Sequence, residues 1–139
     1  INHVRKAMLV SPLPIVTNQV EFHPTFNQRE LLEFCHSVGV IITAYSPLGR
    51  GALLTDPRIK ALADKYGKTP AQVILRWFLQ KGMIVIPKAS SEAHLRDNLG
   101  ALGWEMAAED MAQIEAMDEG RRIIDPDFAE WDIALEDIA

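Results

Sequence analysis

Val85-Ile86-Pro87-Lys88-Ala89-Ser90-Ser91 is where an apolar run, Met83 to Ile86, ends in a proline, a lysine and two hydroxyls. A helical pattern begins directly after it, with Leu95 and Leu99 four apart. A strand that stops at a helix N-terminus leaves unpaired backbone N–H groups and a partial positive charge at its mouth. Ser90 and Ser91 suit a cap there or a bound oxygen, and Lys88 adds a full charge. The stretch therefore reads as an anion site, phosphate above all. From these residues alone an ordinary capped helix with a surface lysine is the commoner reading, since short motifs often match by chance.

The chain upstream repeats the same unit. Val40 to Tyr45 is nearly continuous in apolar and β-branched residues, the pattern of a parallel strand covered on both faces. It ends in Tyr45-Ser46-Pro47-Leu48-Gly49-Arg50-Gly51. Ile15 to Phe22 is an earlier strand whose far end is polar: Thr17, Asn18, Gln19 and Glu21, then His23-Pro24. His23 reads as a loop residue and not a catalyst. Helices fill the intervals. Asn2 to Val10 is one, with Val4, Ala7 and Met8 on a face, and Ser11-Pro12-Leu13-Pro14 stops it. Asn27 with Glu30 forms a capping box for a second, whose buried face is Leu31, Phe34, Cys35 and Val38, with Gly39 at its C-cap. Cys35 reads as a small core residue. Asp56-Pro57 opens a third, burying Ile59, Leu62, Ala63 and Tyr66 and ending at Gly67. Thr69-Pro70-Ala71-Gln72 is a second capping box, followed by Val73, Ile74, Trp77 and Phe78 and closed by Gly82. Ala107 to Met117 is the last helix, with Met111, Ile114 and Met117 inward and no strong cap. Residues 118–139 are an acidic, irregular tail with Phe128 and Trp131 as anchors.

This order predicts an α/β fold of parallel strands joined by right-handed crossovers. Ligands in such sheets gather at the carboxyl ends of strands, and all three ends here are polar. Three strands do not close a barrel and would leave two long edges. A barrel of this kind takes about 250 residues. With Ile1 at the front, the expectation is that further strands precede this segment.

Bulk properties exclude other classes. With 139 residues, 48% hydrophobic and 24% charged, the composition is that of one globular domain. A net charge of −5 lacks the basic footprint of a nucleic-acid surface. No apolar run nears the roughly 20 residues of a membrane span, and no secretory signal opens the chain. One cysteine permits no internal disulfide and suits a reducing, cytoplasmic setting. The remaining histidines sit apart, so no metal site is expected.

Taken together, Thr17-Asn18-Gln19-Val20-Glu21-Phe22-His23-Pro24, Ala44-Tyr45-Ser46-Pro47-Leu48-Gly49, Thr69-Pro70-Ala71-Gln72-Val73-Ile74-Leu75-Arg76-Trp77, Ile86-Pro87-Lys88 and Phe128-Ala129-Glu130-Trp131-Asp132 resemble the aldo-keto reductases. Within them the likeness is to the bacterial group that includes the 2,5-diketo-D-gluconate reductases. The resemblance covers essentially the whole chain. It implies a (β/α)8 TIM barrel of which residues 1–139 are the C-terminal part, the last three strands and their helices, with 118–139 as C-terminal tail. It implies a monomeric full-length protein that transfers a hydride from NADPH to a small aldehyde or ketone.

The resemblance also implies roles. Gln19 matches the residue that hydrogen-bonds the nicotinamide carboxamide, and Tyr45 the ring that stacks on the nicotinamide. Ser46 and Leu48 match pyrophosphate contacts. Lys88 matches the lysine near the ribose 2′-phosphate, with Ser90 and Ser91 close to it. Asn98 matches the asparagine at the adenine, and Asp97 an acid beside it. Two positions depart from the pattern: Ala89 replaces a serine, and His94 replaces an arginine that covers the adenine. Arg96 faces elsewhere on the helix. These losses leave room for NADH as well. The family's catalytic Asp, Tyr, Lys and His come from the barrel's first half, and no residue here is assigned to them, so this segment alone is expected to be inactive. Two alternatives share the same cofactor residues: a non-catalytic nucleotide-binding subunit, and an inactive truncated remnant.

Overall fold

The computed structural model describes residues 1–131 and 133–134. Three parallel strands lie in the order β1 (Thr17–Glu21), β2 (Ile41–Tyr45), β3 (Ile84–Val85). The register pairs Thr17 with Ile41 through Glu21 with Tyr45, and Thr43 with Ile84. Around the sheet run α1 (Asn2–Val10), α2 (Arg29–Ser37), a 3-10 stretch (Gly49–Thr55), α3 (Pro57–Tyr66), α4 (Pro70–Gln80), α5 (Glu92–Leu99) and α6 (Ala108–Glu115). No described helix is long and apolar enough to cross a membrane.

All three strands are shorter than the stretches that predict them. β3 is only two residues long, although the Ile86 N–H still reaches the Ala44 carbonyl. Pro87 then has no N–H with which to extend the ladder.

Side-chain alternation assigns the two faces of the sheet. Ile42 and Ala44 point to the helices and are fully buried, in one core with Val73, Ile74, Trp77 and Phe78. The opposite face carries Gln19, Thr43 and Tyr45. Ile41 and Ile84 lie on it 44% and 47% exposed. The expected cover on both faces of β2 is thus met on one. The open face is the one that further strands and their side chains would fill in a closed barrel.

Local chemistry explains most helix ends. Asp56 caps α3 by accepting the Arg58 N–H, and Thr69 with Gln72 makes a complete capping box at α4. Gly67 takes φ 60°, a left-handed conformation that costs a residue without Cβ little. The cap of α2 departs from expectation. Gln28, not Asn27, holds that position, and it makes no side-chain cap bond. Asn27 is buried and spends its side chain on the Glu115 carbonyl, 2.9 Å away at the end of α6. A buried amide with a tertiary partner outweighs the local cap. The core stripe of α2 is also rotated: Leu32 and Cys35 are buried, while Leu31, Phe34 and Val38 are half-buried. Burial pushes the Cys35 thiol pKa up, which suits an inert core residue.

Candidate functional site

The carboxyl ends of the strands open onto two cavities. The first, about 720 Å³, is lined by Gln19, Tyr45, Arg122 and Trp131 among others. The second, about 660 Å³, is lined by Ser46, Leu48, Arg50, Lys88, Ser90, His94, Asp97 and Asn98. Tyr45 and Ser46 are consecutive, yet their side chains serve different cavities. Alternation along β2 sends Tyr45 to the open face, and Ser46 then turns away in a left-handed conformation at φ 52°. Arg50 is also left-handed, at φ 54°, between Gly49 and Gly51, which share that sign. Such conformations are disfavoured for residues with a Cβ and cluster in ligand-binding loops.

In the second cavity Lys88 is exposed and has no ion-pair partner among the described residues. Ser91 lies outside the lining, and its hydroxyl caps α5 by accepting the His94 N–H at 3.2 Å. Ser90 remains at the rim, 3.5 Å from the His94 imidazole. Of the paired hydroxyls, one is therefore a cap and the other is available to a ligand. Asp97 accepts from Thr69 Oγ1 at 3.2 Å and Gln72 Nε2 at 2.9 Å, so it ties α5 to the cap of α4.

In the first cavity the sequence reading missed Glu21. Its side chain is fully buried at the end of β1. Oε1 accepts the Ile123 N–H and Oε2 the Ile124 N–H, at 2.6 and 2.9 Å. His23 Nε2 lies 3.0 Å from Oε1, and Thr25 Oγ1 lies 2.9 Å from its Nδ1. His23 is thus a buried brace and lines neither cavity; burial holds its pKa below the usual histidine value against the pull of Glu21. The Tyr45 hydroxyl is held above its usual range, first by burial and then by the Glu21 charge, with Arg122 opposing.

Glu21 draws the tail across the strand ends. Arg122 lies with its guanidinium 4.6 Å from the Phe26 ring centroid and 3.7 Å from that of Trp131. Trp131 donates to Asp125 at 2.6 Å, and Asn2 reaches the Ile133 carbonyl at 2.8 Å. Phe128 is no anchor, being 89% exposed. Asp132, the last residue of the Phe128–Asp132 motif, lies outside the described residues. Among the described residues no group of three His, Cys, Asp or Glu is placed to hold a metal.

Parallel strands with polar carboxyl ends, one open sheet face and two adjoining cavities define a section of an α/β barrel fold. The family model of the aldo/keto reductases matches residues 1–119, and the chain belongs to that family. It is 40% identical over 128 residues to the uncharacterized oxidoreductase YtbE of Bacillus subtilis (strain 168), covering 91% of this chain and 46% of that protein. Among solved structures, a mutant of Gox0644 in complex with NADPH superposes with a TM-score of 0.84 at 42% identity, covering 93% of this chain and 48% of that one. A candidate 2,5-diketo-D-gluconic acid reductase B superposes with a TM-score of 0.89 at 33% identity, covering 94% and 48%. The chain thus spans about half the length of the relatives it matches, and supplies part of a (β/α)8 barrel.

Proposed function

We propose that this chain is the C-terminal, cofactor-binding part of a reductase that transfers a hydride from NADPH to a small aldehyde or ketone. The observation that carries the reading is the division at Tyr45-Ser46. One cavity has an amide (Gln19) and an aromatic ring, the other an exposed lysine, a serine hydroxyl and an asparagine. A nicotinamide dinucleotide has the same two halves, a flat amide-bearing ring and a polyanionic phosphate–adenosine end.

On this reading Gln19 orients the carboxamide, and the Tyr45 ring covers one face of the nicotinamide, leaving the other to substrate. Ser46 and Leu48 border the pyrophosphate. Lys88 supplies a compact charge for the 2′-phosphate, Ser90 assists it, and His94 and Asn98 border the adenine. Ser91 acts through the helix cap. The bound cofactor supplies the hydride. No group of this chain is assigned to protonate the carbonyl oxygen, a task for residues of the remaining strands. The relative resolved with NADPH supports this choice of cofactor, and the replacements at Ala89 and His94 leave NADH usable.

The test is a titration of the chain with NADPH and with NADH, following quenching of Trp77, Trp104 and Trp131. Saturable binding, tighter for NADPH and levelled by Lys88→Ala, is the expected result. Binding of neither nucleotide would refute the reading that this segment carries the cofactor site.

A further inference from the structure

We infer that Asp97 is a positioning residue that latches α5 to the N-cap of α4 and does not read the nucleotide base, so that the second cavity takes a 6-oxopurine as well as adenine. The inference rests on the reductase reading above and adds the base specificity of its adenosine end.

Three observations carry it. The first is that α5 brings His94 and Asn98 to the cavity and yet contributes no buried residue. Leu95 and Leu99 are 56% and 64% exposed. A helix usually owes its place to a buried apolar face. Here polar bonds to α4 take that part.

The second is the geometry of those bonds. Gln72 donates its side-chain amide to Asp97 twice, to the backbone carbonyl at 3.0 Å and to Oδ1 at 2.9 Å. Its own Oε1 accepts the Thr69 N–H at 3.1 Å. Thr69 Oγ1 donates to Asp97 Oδ2 at 3.2 Å. Both carboxylate oxygens are thus engaged, and the charge lies at the N-terminus of α4, where the helix dipole favours it. Gly100, the C-cap of α5, approaches the same amide so closely that a Cβ would stand 2.3 Å from Gln72 Nε2.

The third is what remains to face the base. Among the described residues Asp97 is the one acid lining this cavity. A carboxylate has acceptors only, so a free one would take the 6-amino group of adenine and repel a 6-oxo group. With Asp97 drawn to α4, the side-chain amide of Asn98 is left. It presents a donor and an acceptor, and by turning over it suits either group.

The test titrates the chain with NADPH and with its hypoxanthine analogue, in which a 6-oxo group replaces the 6-amino group, following tryptophan quenching. The two are expected to bind within about threefold of each other, less than one hydrogen bond to a charged group is worth. Asp97→Ala should weaken both by about tenfold, and so should Gln72→Met, although Gln72 does not line the cavity. Asp97→Asn keeps an acceptor for Gln72 and should recover most of that loss at the parent ratio of the two nucleotides. Amide hydrogen exchange in α5 should quicken in the alanine and methionine variants and return towards the parent rate in Asp97→Asn. A preference of about tenfold or more for NADPH in the parent chain would overturn the inference, as would Gln72→Met binding both nucleotides like the parent. If Gln72→Met unfolds the start of α4, the parent ratio and the recovery in Asp97→Asn decide the matter. Failure of both nucleotides to bind would overturn the reductase reading and this inference with it; binding with a strong adenine preference overturns this inference alone.

Discussion

The carboxylate of Glu21 accepts the backbone N–H of Ile123 at 2.6 Å, joining the last residue of β1 to a point 102 residues later in the chain. With the Ile124 bond beside it, this clasp sets where the tail crosses the strand ends. Glu21→Ala leaves two amides and the His23 imidazole without an acceptor. Each buried polar group left unpaired costs about 1–3 kcal/mol. A loss of at least about 2 kcal/mol in urea unfolding is expected, with faster tryptic cleavage after Arg121 and Arg122. Glu21→Gln, which keeps one acceptor, should cost less. An unchanged midpoint in Glu21→Ala would show that the tail is held by other means.

His23 gives the clasp a pH dependence. Burial lowers its folded pKa below the ordinary 6.5. The unfolded chain therefore binds more protons than the folded one as pH falls below that value. Stability should be full above pH 6.5 and decline as the pH drops towards the folded pKa, levelling out below it. His23→Gln should flatten that part of the profile. A profile that is already flat between pH 5 and 6.5 in the parent chain would refute the assignment.

A second brace lies on the outer layer. Asp110, 1% exposed at the start of α6, accepts from Lys65 Nζ at 2.7 Å and from the Tyr66 hydroxyl. That hydroxyl in turn accepts the N–H of Ala107, the residue at the N-cap of α6, at 2.8 Å. Tyr66→Phe is expected to cost about 1–3 kcal/mol in unfolding free energy, since it strands a buried carboxylate oxygen and an amide. The Lys65 bond, then the Tyr66 bond, lower the Asp110 pKa below 3.8. Its contribution is therefore present above that pH and lost as the pH falls through the folded value. Asp110→Asn should weaken this acid dependence.

Gly100 is a tight spot that backbone angles do not reveal. A Cβ there would stand 2.3 Å from Gln72 Nε2 and 2.8 Å from its Cδ. Gln72 is already committed to the Thr69 capping box and to Asp97, so it has little room to yield. Gly100→Ala is expected to cost about 1–3 kcal/mol through overpacking and loss of these bonds, read as a lowered melting temperature. Gly39→Ala serves as a control, being strained at φ 74° but free of contacts within 4 Å.

These cases show what was legible in the sequence. The caps at Asp56 and Thr69, the terminating glycines and the polar strand ends are local, so a few adjacent residues encode them. The likeness in motifs such as Tyr45-Ser46-Pro47-Leu48-Gly49 carried the family and the barrel. The roles of Glu21, Asn27 and Asp110 were hidden because their partners lie 102, 88 and 45 residues away. No spacing rule reaches that far. Arg122 was hidden for the same reason: its rings come from the loop after β1 and from the tail, and in sequence it is one cation in an acidic run.

Coenzyme choice gives one more prediction, resting on the proposed site. His94 lies on the first turn of α5 beside Ser90. His94→Arg would add a planar, permanent charge next to Lys88. It should tighten NADPH about tenfold, in line with a charge-assisted hydrogen bond of roughly 1.4 kcal/mol, and leave NADH nearly unchanged. Equal gains for both nucleotides would place His94 near the pyrophosphate instead of the 2′-phosphate.

The parting of Tyr45 and Ser46 into separate cavities has an evolutionary consequence. One peptide bond divides the surface into two modules that drift independently. On the proposed reading, substitutions around Lys88 and His94 would retune which nucleotide is used without disturbing the mouth. On the same reading, changes in the tail that crosses the strand ends would retune what is reduced without disturbing the nucleotide. A lineage with this layout could then diversify its substrates while its redox partner stays constant, or exchange the redox partner while its substrates stay constant.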